Sequence, residues 1–438
     1  MIGYRNYSTI FIIAAFGPYI SLNSGIRVEN LIIYPIAMMV LLDYTFSRSL
    51  KINRAILTIF YLWFGAFVYL LVRTIFGGEE LNFTAVLAEI KNFTQPMAVL
   101  LVFMTSHRLT IKKSEHRLKM ACRVTIALLG VNTLWSILSL FVDLGPINQF
   151  FWGGGLDSVA TRALTNGRIT GIFNQPMEAG AAYSIGVFSW LYLVSRDIIK
   201  INFKLVVFLI LLIIGGILSV SKLFIIVGLF LSLIYIFSIQ RLRRQMGKII
   251  LMFFSLGFIP FYYLTNTWEG LSYLARFIDI GTIQKIGFLN FITAGRYGGQ
   301  NSQQSDLFLQ VWASNPIYGQ GLGSQRVFDS AFFHFFGDGG LIGLIFYLII
   351  LISFVASGLR FLRHRELAYE SRLYWFIIVF ATVASFGAPI MTLNRASVIY
   401  WVYIGMLLQH LQLVANSKYE NKNTKNVSGV TRQLMVMS

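Results

Sequence analysis

Residues 293–343 read TAGRYGGQNSQQSDLFLQVWASNPIYGQGLGSQRVFDSAFFHFFGDGGLIG and run into LIGLIFYLIILISFVASG at 341–358. The second stretch is continuously apolar, without the alternation of a half-buried strand, and is long enough for a helix to cross a hydrocarbon core of about 30 Å. The first is a polar, glycine-rich island in which Arg296, Asp306, Trp312, IYGQGLGSQR (317–326), Asp329, Ser330 and His334 crowd together before the apolar run resumes at Leu341. Ionisable groups and glycine-rich backbone are expensive beside hydrocarbon, so such an island reads as a functional segment.

The rest of the chain repeats the apolar pattern. Of its 438 residues 56% are hydrophobic and only 12% are charged, and the mean hydropathy is +0.68. That composition excludes a soluble globular protein, and only helices or closed barrels satisfy their backbone in lipid. The expected fold is therefore all-α, a polytopic transmembrane protein with about twelve spans, near residues 8–22, 31–45, 55–72, 84–105, 121–142, 177–195, 205–219, 222–239, 249–264, 339–358, 373–391 and 397–414. Residues 1–414 are read as one transmembrane domain, 265–338 as a large extracytoplasmic loop within it, and 415–438 as a polar, disordered cytoplasmic tail. Pieces of the large loop have helical apolar spacing, which predicts short interfacial helices. No cleavable signal peptide is expected, because the first apolar run leads to no small-residue cleavage site.

A net charge of +18 raises nucleic acid as a partner, but the basic residues fall at intervals between apolar runs, which is the positive-inside signature. Arg48, Lys51, Arg54, Arg108, Lys112, Lys113, Arg117, Lys119, Arg123, Arg196, Lys200, Lys204, Arg241, Arg243, Arg244, Lys248, Arg360, Arg363, Arg365 and Arg372 mark the predicted cytoplasmic side. No nucleic-acid partner is expected, and both termini are predicted on the cytoplasmic side. The single cysteine, Cys122, excludes an internal disulfide.

The basic residues that this topology puts outside are Arg27, Arg73, Arg162, Arg168, Lys222, Arg276, Lys285, Arg296, Arg326 and Arg395. Arginine grips phosphate with a planar fork and lysine as a point charge, so such a group suits a lipid-linked phosphate or diphosphate; snorkelling, or pairing with nearby acids, is the plain alternative. His334 is the outward histidine, and on a continuous helix it shares a face with Asp338 rather than with Asp329. Asp329, opening a helical run, reads either as a helix cap or as a general base held ionised near arginines. Glu178, in FNQPMEAG, caps its helix or holds a sugar hydroxyl. No metal or other cofactor is expected, since Asp306, Asp329 and Asp338 alone make a weak ligand set.

GRITGIFNQPMEAG (167–180), ILSVSK (217–222), AGR (294–296), NPIYGQGLGS (315–324) and DSAFFHFFGDGGLIGL (329–344), in that order, resemble the O-antigen polymerase and ligase family, GT-C-type membrane glycosyltransferases that use polyprenyl-diphosphate-linked glycans. The resemblance implies an enzyme that needs no metal and inverts the anomeric centre. It also implies that Arg168, Lys222 and Arg296 hold the donor diphosphate, to which the outer Arg326 in its glycine-rich stretch is added on the residues alone, while Asp329, or else His334, activates the acceptor hydroxyl. Asp329-Ser330 stands where the ligases have His-Asn, which favours a polysaccharide polymerase; Lys222 stands where an arginine is usual. The partners so implied are lipid-linked donor and acceptor oligosaccharides, membrane lipid, and a flippase and chain-length regulator. An O-antigen ligase-like transferase and a lipid-linked oligosaccharide flippase are the alternatives.

Overall fold

The computed structural model describes residues 6–21, 26–46, 52–77, 82–104, 109–152, 159–196, 203–240, 242–244, 247, 268, 270, 303–324, 329–362 and 367–437. Among the described residues the regular structure is helical apart from one small hairpin. In order come α1 (Tyr7–Ala15), β1 (Tyr19–Ser21), β2 (Ile26–Arg27), α2 (Val28–Phe46), α3 (Arg54–Phe76), α4 (Phe83–Phe103), α5 (Ile111–Leu138), α6 (Gly145–Trp152), α7 (Val159–Thr165), α8 (Pro176–Arg196) and α9 (Phe203–Leu218). A π-helical turn (Leu223–Gly228) then leads into α10 (Leu229–Ser238), followed by α11 (Gln303–Ser314), α12 (Ala331–Leu362), α13 (Ala368–Ala384) and α14 (Asn394–Met437). Six helices among the described residues are long and apolar enough to cross a membrane: Val28–Phe46, Arg54–Phe76, Phe83–Phe103, Ile111–Leu138, Ala331–Leu362 and Asn394–Ser417.

Two helices form the centre. In α8 every residue from Glu178 to Ser195 is buried, and from Arg395 through Leu411 α14 is closed off on all sides. Small residues let the neighbours of α8 approach: a Cβ added to Gly186 would lie 2.5 Å from Leu129 Cδ1, and one added to Gly180 would lie 2.4 Å from Ser221 Oγ. The outer helices show the reverse pattern. Along α12 the side chains of Ile345, Leu348, Ile349, Ile352, Val355, Leu359 and Leu362 stand exposed at helical spacing, a stripe that water would penalise and lipid accepts.

Two elements, α12 and α14, differ from the sequence expectation, while the two short runs expected at 205–219 and 222–239 fall close to their expected bounds. The span expected to start near 339 begins at Ala331 and is broken at Gly340 (φ 59°, ψ −153°). The paired short runs around residue 220 are separated by Ser219-Val220-Ser221, where Val220 has φ 44°. α14 continues to Met437, through most of the stretch read as a disordered tail, because an existing helix propagates without a new nucleation step. The span expected at 249–264, and the loop residues 271–302, lie outside the described residues.

Candidate functional site

The first junction is built at the break in α12. Breaking a helix frees carbonyls that lipid cannot satisfy, and backbone from the glycine-rich loop takes them up. Gln320 N donates to Gly337 O at 2.9 Å and Gly321 N to Asp338 O at 2.8 Å, while Leu341 N donates to Pro316 O at 2.8 Å. The backbones come so close that a Cβ on Gly340 would lie 2.4 Å from the Ile317 carbonyl, and Gly319 (φ 71°) is just as tightly enclosed. α3 and α4 hold the other side of the loop. Arg73 Nε donates to Gly319 O at 2.9 Å, Leu322 N donates to Thr74 Oγ1 at 2.7 Å, and Gly323 N donates to Glu89 Oε2 at 2.8 Å.

Around this stitched break three titratable side chains converge. His334 and Asp338, one turn apart on α12, face each other with Nε2 and Oδ2 3.4 Å apart, as their spacing predicts. The ligand atoms of these two and of Glu89 all lie within 4.8 Å of one another. The imidazole also stacks on Phe93, with centroids 6.4 Å apart. Sequence reading grouped Asp338 with Asp306 and Asp329 and gave Glu89 no part in a site. The contact between α4 and α12 that regroups them has no local sequence signal.

The second junction joins two of the sequence motifs. Arg168 Nη2 donates to the carbonyl of Val220 at 3.3 Å, and Ile169 N donates to Leu218 O at 2.9 Å. Trp268 Nε1 closes the back of the turn by donating to Gly167 O at 2.6 Å. Ser221 is buried against Gly180 with its hydroxyl unpaired, and Lys222 immediately precedes the π-helical turn. A β-branched residue at positive φ and a π-helical turn are both strained features that concentrate at working sites.

The third junction is a buried charge cluster. Glu178 is fully enclosed; it accepts from Asn174 N, just before α8, at 3.0 Å and from Arg395 N, in the first turn of α14, at 2.8 Å, so its carboxylate ties the starts of two helices. The Arg395 guanidinium donates to Ile172 O at 3.0 Å, Gly17 O at 3.0 Å and Phe151 O at 2.7 Å. Arg27 and Arg395 lie over the Tyr19 ring, 5.6 and 5.7 Å from its centroid, and Arg27 Nε is 2.9 Å from Glu29 Oε1. Burial pulls the Arg27 pKa down, but Glu29, together with Tyr19, Glu178 and Tyr34, outweighs this and holds it above the ordinary arginine value.

These contacts gather the C-terminal ends of α1, α3 and α9 and the N-terminal ends of α4, α8, α12 and α14 at one end of the bundle. The opposite end carries a separate ionic group in which Arg196 meets Glu115 at 3.2 Å and Glu370 at 3.0 Å. Asp329 precedes α12 by two residues and is half-buried; beside it Ser330 Oγ donates to Ser385 O at 3.0 Å. Arg296 and Arg326 lie outside the described residues. Of the expected outer cations, Arg27 pairs with Glu29, while Arg73, Arg168 and Arg395 donate to backbone carbonyls. No family model matches the chain, and no curated protein matches it.

Proposed function

We propose that the chain is a polysaccharide repeat-unit polymerase of the bacterial inner membrane, transferring a glycan from polyprenyl diphosphate to the sugar hydroxyl of a lipid-linked acceptor with inversion. In this reading about twelve spans put the loop 265–338 and the gathered helix ends outside the cytoplasm. Arg168 and Lys222, with Arg296 and Arg326 from the large loop, hold the diphosphate. Asp329 takes the proton as the acceptor oxygen bonds to the anomeric carbon. The bond from that carbon to the diphosphate breaks, and its electron pair leaves with the diphosphate. Fixed cations neutralise the leaving charge, the electrostatic stabilisation that dominates such transfers. Glu178 shapes the site by fixing the start of α8.

The observation that carries the reading is the contact of Arg168 Nη2 with the carbonyl of Val220, two residues before Lys222. Residues over fifty positions apart, singled out as two separate motifs, form one strained polar turn against Gly180 of the central helix. Polar groups buried in so apolar a chain are retained for use, since apolar packing would do without them. A flippase would also use intramembrane charges such as Glu89 and Lys91. The test that separates the two is incubation of the purified protein with lipid-linked repeat units. A ladder of longer lipid-linked products is expected, and transfer of units across a vesicle bilayer without elongation would replace polymerase by flippase.

A further inference from the structure

We propose that Glu89, His334 and Asp338 form a binding site for a divalent transition-metal cation, held through one imidazole nitrogen and two carboxylates. The inference goes beyond the transfer reading, which uses no metal, and does not rest on it.

The geometry of the histidine and aspartate is the starting point. Their facing atoms are 3.4 Å apart, too long for a charge-assisted hydrogen bond of about 2.7–2.9 Å. Two adjacent ligands on a tetrahedral cation, each at about 2.0–2.1 Å, stand about 3.4 Å apart. Asp338 is only 1% exposed, yet its Oδ2, the atom aimed at the imidazole, has no hydrogen-bond partner. A buried carboxylate oxygen left in that state costs several kcal/mol unless something positive meets it. Glu89 brings a second carboxylate to within 4.8 Å, which worsens the repulsion that a cation would relieve.

The surroundings fix the three groups. Glu89 Oε2 takes the Gly323 N–H at 2.8 Å, an outer contact of the kind that orients metal-binding carboxylates. The Asp338 backbone is pinned by Gly321 N at 2.8 Å, and the Phe93 ring holds the plane of the imidazole. Three protein ligands leave a coordination position open, and His334 at 13% exposure keeps a way in. A mixed nitrogen and oxygen set suits zinc or manganese; magnesium and calcium prefer oxygen alone, and copper(I) prefers sulfur. With a metal on Nε2, His334 could not accept a proton there, which would leave that task to Asp329.

The test uses the full chain in detergent, free of any affinity tag, stripped with a chelator and titrated with Zn²⁺, then separately with Mn²⁺ and Mg²⁺. Bound metal per chain after desalting and the shift in unfolding temperature are read. The expected result is close to one equivalent of zinc or manganese with a rise in unfolding temperature. Asp338→Asn and His334→Ala should weaken that binding by at least about tenfold. Glu89→Gln, at a part-exposed position, should do the same and guards against the buried variants failing to fold; the exposed Asp306→Asn should bind as wild type. Wild type that retains no more zinc or manganese than a Glu89→Gln/His334→Ala double variant overturns the site, as does preference for Mg²⁺. Metal content is readable whether or not the preparation elongates glycans, so failure here is distinct from failure of the transfer reading.

Discussion

Arg168 donates from its guanidinium to the carbonyl of Val220 at 3.3 Å, and the residue it grips has φ 44°. A β-branched residue held there costs about 1–3 kcal/mol, which glycine would not incur. Val220 is also fully buried, and losing its side chain forfeits about 1.5–3 kcal/mol. The two effects oppose each other, so Val220→Gly should shift stability by no more than about 2 kcal/mol by these magnitudes. Val206→Gly, equally buried but inside α9, lacks the compensation and adds about 1 kcal/mol of helix penalty. Thermal unfolding in detergent compares them, and equal losses would mean the Val220 conformation carries no strain.

The stitched break in α12 predicts opposite outcomes for two glycines. Gly340 has φ 59°, and a Cβ there would lie 2.4 Å from backbone atoms of Ile317. Gly340→Ala should therefore lose well over about 1–3 kcal/mol and loosen residues 315–324. Gly65 lies inside α3, and its added Cβ would meet nothing nearer than Phe346 Cε1 at 3.6 Å. Gly65→Ala should be neutral or stabilising by about 0.4–1 kcal/mol. Protease sensitivity of the 315–324 loop, alongside unfolding temperature, checks both.

Arg395 joins three separate segments through carbonyls of Gly17, Phe151 and Ile172. A lysine ammonium radiates from one point and cannot span them, so Arg395→Lys keeps the charge and loses the fork. The expected loss is about 3–5 kcal/mol, the scale of a disrupted buried ionic group. Glu178→Gln keeps an acceptor for a backbone N–H and should be milder. Folded yield and unfolding temperature measure this; wild-type stability for Arg395→Lys would show the clasp to be redundant.

If Asp329 is the base of the transferase, Asp329→Asn keeps its shape and removes its basicity. Elongation of lipid-linked units should then fall by on the order of 10²–10⁴-fold, with abundance and donor binding unchanged. His334→Ala should be milder. An active Asp329→Asn beside a dead His334→Gln at equal expression would exchange the two roles and leave Asp329 as part of the helix start.

The sequence by itself determined the helical membrane character, because hydropathy is a sum over each segment and needs no neighbour. It also determined that His334 faces Asp338, since helical spacing sets which side chains share a face. Only the tertiary structure decided that Glu89 joins His334 and Asp338, that Arg395 clasps three segments, and that Arg168 meets Val220. Those pairings cross between elements far apart in the chain, and periodicity reports the face an element presents, not the neighbour it meets. The break at Gly340 belongs to the same class: GDGG is visible as a weak point in an apolar run, but whether the helix opens there depends on a loop arriving from residues 316–321 to satisfy the freed carbonyls.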